Sequence, residues 1–83
     1  MTTTRMHLTG ILLNGAGFQT SPLSTRLTIY RTDDGLLPDD GDGQPDTWSE
    51  PLETRRNGEV WEIGNGAWWF QMDGTGAARM GLA

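Results

Sequence analysis

The sequence predicts an all-β fold: a small antiparallel β-sandwich or barrel with a C-terminal Asn-Gly hairpin and one long acidic loop. Three observations carry that expectation. Apolar and polar residues alternate with period two in four segments. No long window repeats apolar residues at helical spacing, and 12 glycines and 4 prolines punctuate the whole chain. An Asn65-Gly66 pair also lies between two Trp-rich alternating segments, a strong short-range hairpin signal.

The first strand runs from Met6 to Leu13, with Met6, Leu8 and Leu12 on one face and His7, Thr9, Ile11 and Leu13 on the other. Asn14-Gly-Ala-Gly17 ends it. The second spans Ser24 to Thr32, where Leu27 and Ile29 alternate with Arg26, Thr28 and Tyr30. The third and fourth are Glu59 to Gly64 and Ala67 to Met72. With Asn65-Gly66 as the two positive-φ positions of a type I′ turn, Ile63 faces Trp68 and Trp61 faces Phe70. Trp61, Ile63, Trp68, Phe70 and Met72 then form a core face. Val60, Glu62, Trp69 and Gln71 form a mixed, partly exposed one. The tail Gly76 to Gly81 permits one helical turn. Residues 1–83 read as a single domain, with an acidic loop over 33–54 and flexible or partner-bound arms at 1–5 and 74–83.

Composition narrows the chemistry. The chain has 83 residues, 6 basic and 11 acidic side chains, a net charge of −5 and no cysteine. A domain this small has a marginal core, and without Cys there is neither a disulfide framework nor a thiolate zinc site. All six basic residues are arginine, which excludes a Schiff-base or phosphate-loop lysine. The acidic balance argues against general nucleic-acid binding. The apolar runs, Ile11 to Leu13 among them, are too short for a signal-peptide core or a membrane span, so a soluble chain is expected.

Residue constellations point away from catalysis. The single His7 has no Cys and no second His to share a metal, and reads as a packed or surface strand residue. Ser21, Ser24 and Ser49 lack a nucleophile-elbow context, and Glu59 with Glu62 would need a deep cleft to act as a carboxylate pair. No enzyme activity and no required cofactor are expected. Trp48 and Trp69 are the tryptophans least easily buried, and with Arg5 and Arg79 they are the expected interface anchors.

The segment Leu37-Pro-Asp-Asp-Gly-Asp-Gly-Gln-Pro-Asp-Thr-Trp-Ser-Glu50 resembles thrombospondin-type calcium loops. Asp40, Gly41, Asp42, Gly43, Pro45, Asp46 and Trp48 fall in step with that pattern. It departs where Pro38 occupies the first ligand position and Ser49 the last, with Glu50 one residue late. The resemblance implies Asp40, Asp42 and Asp46 as Ca2+ ligands, with Asp39 or Glu50 as substitutes.

The run Leu8-Thr-Gly-Ile-Leu-Leu-Asn-Gly-Ala-Gly17, then Pro22-Leu23 and Leu27-Thr-Ile29, resembles the opening of small β-sandwich modules. Such modules occur in tailed-phage fibre, baseplate and head-decoration proteins and in carboxypeptidase-regulatory-like domains. That resemblance implies a non-enzymatic virion subunit, in capsid decoration or in the tail or baseplate. Its partners would be capsid or tail proteins, in a homo-oligomer or larger assembly, without nucleic acid or membrane. The alternative is a calcium- or carbohydrate-binding β module built on the acidic loop and an exposed Trp.

Overall fold

The computed structural model describes residues 3–21 and 23–82. Six antiparallel strands form one sheet: β1 (Thr4–Asn14), β2 (Thr25–Thr32), β3 (Gly35–Pro38), β4 (Glu53–Asn57), β5 (Val60–Gly64) and β6 (Trp68–Met72). A short helix, α1 (Gly74–Arg79), follows. The spatial order is β3-β2-β1-β6-β5-β4, and the sheet curls into a half-barrel. The small all-β fold is therefore as the alternation predicts, built as one curled sheet.

The curl centres on β1. Its first half, Thr4 to Gly10, pairs with β2, and its second half, Gly10 to Asn14, pairs with β6. Gly10 belongs to both ladders, and a Cβ there would lie 2.1 Å from the Gln71 carbonyl oxygen. Only glycine lets β6 approach so closely. Far from β1, the sheet margins meet at one point. The Leu52 amide, just before β4, donates to the Leu36 carbonyl of β3 at 2.7 Å.

The face carrying Met6, Leu8, Ile29, Ile63, Phe70 and Met72 is buried, together with Leu52 and with Ala77 and Met80 from α1. Trp61 and Trp68 pack against it half-buried, so the predicted core face is the observed one. Its register differs from expectation. Glu62 pairs with Gln71, Ile63 with Phe70 and Gly64 with Trp69. Gly66 takes φ +93° while Asn65 does not enter the left-handed region, and the Asn65 amide donates to the Trp68 carbonyl at 3.3 Å. The central turn residues are thus Gly66-Ala67, with glycine first, as in a type II′ turn. Asn65 instead accepts the Ala67 amide on Oδ1 at 2.9 Å. Moving the turn by one residue shifts each pairing by two positions, which preserves both faces.

Two boundaries are corrected. Residues 33–54 are not one loop, because β3 occupies Gly35–Pro38 and β4 begins at Glu53. Residues 74–82 are not a loose arm either. Asp73 caps α1, its Oδ1 accepting the Gly76 amide at 2.8 Å and its Oδ2 the Thr9 hydroxyl. The far end closes with Gly81 (φ +75°) and bonds from Leu82 to Ala77 O and Gly81 to Ala78 O, a Schellman stop. At the other terminus β1 starts at Thr4. Met1, Thr2, Pro22 and Ala83, named above in the arms and the resemblance, lie outside the described residues. Among the described residues no helix is long and apolar enough to cross a membrane.

Candidate functional site

The acidic segment is organised by its own carboxylates. Beyond β3 the chain doubles back through an Asp39–Pro45 bridge, with the Asp40 amide on Gln44 O at 2.9 Å and the Asp46 amide on Pro38 O at 2.8 Å. Gly41 and Gly43 supply the positive φ values this reversal needs, +97° and +83°. Asp39 Oδ1 accepts the Gly41 amide at 2.8 Å, and Asp40 Oδ1 accepts the Asp42 and Gln44 amides at 2.7 and 3.3 Å. Asp46 takes the Trp48 amide on Oδ1 and the Ser49 hydroxyl on Oδ2 at 2.7 Å. These are Asx-type turns, in which a short acidic side chain substitutes for a backbone acceptor.

One bond ties the loop to the sheet. The Tyr30 hydroxyl donates to Asp39 Oδ2 at 2.6 Å. That donation, followed by the Gly41 amide, holds the Asp39 carboxyl below the usual carboxylate range, and the bond to Asp39, followed by burial, pushes the Tyr30 phenol up. The Ser49 hydroxyl and then the Trp48 amide lower Asp46 in the same way. Asp40, Asp42 and Asp46, the expected calcium ligands, are not brought together. Asp40 and Asp46 are directed at different amides, and among the described residues no group of three or more His, Asp or Glu could hold a metal ion.

The four expected anchors separate. Trp48 projects from the acidic loop at 97% exposure. Trp69 is only 6% exposed, which corrects its expected role as a surface anchor. Strand β4 explains the burial: it pairs Arg55 with Glu62 and lays the guanidinium over the Trp69 ring, 3.7 Å from its centroid. Glu62 is fully buried and is held by Arg55 Nε at 2.7 Å and Gln71 Nε2 at 3.4 Å. Arg5 lies within β1 opposite Tyr30, and Arg79 donates to the His7 carbonyl at 3.2 Å. His7 shares a 2.9 Å bond with Thr28 Oγ1, as a packed strand residue would.

Sequence reasoning missed an apolar groove of about 340 Å³ where the concave face is not covered by α1. Leu12, Leu27 and Trp68 line it, all half-buried, with Thr20 and Ala67 at its rim. The β1–β2 connection that supplies Thr20 also carries Phe18 and Leu23, 71% and 76% exposed. No sequence signal marked this opening, because Leu12, Leu27 and Trp68 all sit at correct core positions. What the arrangement offers is an apolar contact surface lined by no charged residue among those described. Comparison with protein-family models, with curated proteins and with solved structures finds no match to this chain.

Proposed function

We propose that this chain is a non-enzymatic structural subunit that acts by burying surface against neighbours in a larger assembly. The assembly we favour is a tailed-phage virion, with capsid decoration (cement) ahead of a tail or baseplate position. One observation carries the reading: three large hydrophobic residues, Phe18, Leu23 and Trp48, stand 71%, 76% and 97% exposed on a chain of 83 residues. Exposed aromatic residues are concentrated at protein interfaces, and a core this small benefits from outside partners. The virion assignment rests on the strand–Gly turn–alternating strand pattern of residues 8–29. Co-expression with the capsid and tail proteins of a tailed phage, followed by particle sedimentation, tests it. The chain should travel with assembled particles in fixed stoichiometry. Its absence from every such particle would refute the reading.

The exposure of Trp48 also supports a second reading, a carbohydrate-binding module in which the indole stacks on a sugar ring, with any Ca2+ in the acidic loop requiring Asp40 and Asp46 to leave the amides they now accept. Retention on a glycan array together with a calcium-dependent rise in melting temperature would favour it, because a ligand of the native state raises stability.

A further inference from the structure

We infer that the open groove at the uncovered end of the half-barrel receives Trp48 from a second copy of this chain, giving a head-to-tail contact. This deepens the assembly reading above by naming one of the partners. Trp48 is 97% exposed and so does not occupy its own groove. The groove, about 340 Å³, has room for one large side chain and is lined by the apolar Leu12, Leu27 and Trp68. An exposed hydrophobe that matches a pocket elsewhere on the same molecule makes a heterologous contact, which builds rings or open chains.

Charge distribution selects the same geometry. Residues 33–53, which carry Trp48, hold eight carboxylates and no base, whereas the rest of the chain holds six arginines against three acids. Two acidic loops repel each other, which disfavours a two-fold contact through Trp48. Loop against body is attractive, so the acidic loop of one copy is steered to the body of the next.

Sedimentation velocity on the full chain, from micromolar to millimolar concentration, tests the contact. The weight-average mass should rise with concentration, and added salt should weaken the rise. Trp48→Ala removes the plug without touching the core. Ala67→Glu places a carboxylate on the exposed groove rim, where it repels the incoming loop. Each variant alone should associate at least about tenfold more weakly, as expected for loss of a central aromatic anchor. Mixed one to one, they should form dimers and stop there, since one variant keeps the groove and the other keeps the plug. Circular dichroism establishes that both variants are folded.

A chain that stays monomeric across the range, or self-association unaffected by Trp48→Ala, would overturn the inference. So would a mixture no more associated than its components. A monomer that still joins assembled particles would refute this contact and leave the assembly reading standing. Self-association without particle incorporation would do the reverse.

Discussion

The two halves of the concave face are finished in different ways. Along the first half of β1, α1 covers Met6 and Leu8 with Ala77 and Met80, and the helix is fixed at both ends by Asp73 and Gly81. Along the last residues of β1 nothing comparable among the described residues covers Leu12, Leu27 and Trp68, which stay half-buried around a groove. The same strands thus supply a closed core at one end and an apolar opening at the other. Stability belongs to the covered half, and the surface available to a partner belongs to the open half.

Mutations should separate the halves by the size of their effects. Phe70→Ala, at a side chain 1% exposed in the covered core, should cost about 3–5 kcal/mol in chemical denaturation. Arg55→Ala should cost about 1–3 kcal/mol, because it leaves the fully buried Glu62 with Gln71 as its remaining donor. Adding Glu62→Gln to that variant should recover part of the loss, and a double-mutant cycle would measure the coupling. Trp68→Ala, at the groove, should cost less than Phe70→Ala, about 1–2 kcal/mol, since its ring is only partly buried. Equal losses at Phe70 and Trp68 would erase the distinction between the halves.

A pH titration sharpens the comparison further. The Thr9 hydroxyl, followed by the Gly76 amide, holds the Asp73 carboxyl below the ordinary range. Its contribution is therefore present above the unfolded carboxylate pKa of about 4 and fades as pH falls through the lower folded value. Asp73→Asn should flatten the acid limb of the stability curve and loosen α1 first, which hydrogen exchange at Ala77 and Met80 would register. The smallest effect is expected at Trp48→Ala, within about 0.5 kcal/mol of the parent. That residue would then be neutral for folding while governing association.

How much of this was legible in the sequence depends on whether a segment faces a core. Strands β1, β2, β5 and β6 each turn an apolar face to the core, so their existence and their inner faces could be read directly. β4, Glu-Thr-Arg-Arg-Asn, is exposed at all five positions and carries no apolar rhythm. β3 is four residues long and enclosed by aspartates. Trp69 was misread for that same reason, since its cover comes from Arg55 on the strand that left no pattern. The termini of α1 were written in Asp73 and Gly81, but six helical residues rich in glycine are too few to show a period. At the hairpin, Asn-Gly suggested the turn that its two residues could make alone. The cross-strand pairing of Ile63 with Phe70 instead goes with a turn centred one residue later. The candidate site was legible as residues, with Trp48 exposed as expected, and not as geometry: Asp40 and Asp46, which suggested calcium, accept hydrogen bonds from their own loop.

The meeting of the sheet margins at Leu36 and Leu52 has a practical consequence. Both feet of the intervening segment are pinned, one by β3 and the other by the 2.7 Å bond between those two residues. The segment between them can therefore change length without prying the strands apart, and lengthening a flexible loop adds closure entropy only logarithmically. A foreign peptide spliced between Gly41 and Gly43 would be presented on a short stalk fastened at its base. The protein would then serve as a ready-made display frame whose cargo can be exchanged independently of its architecture.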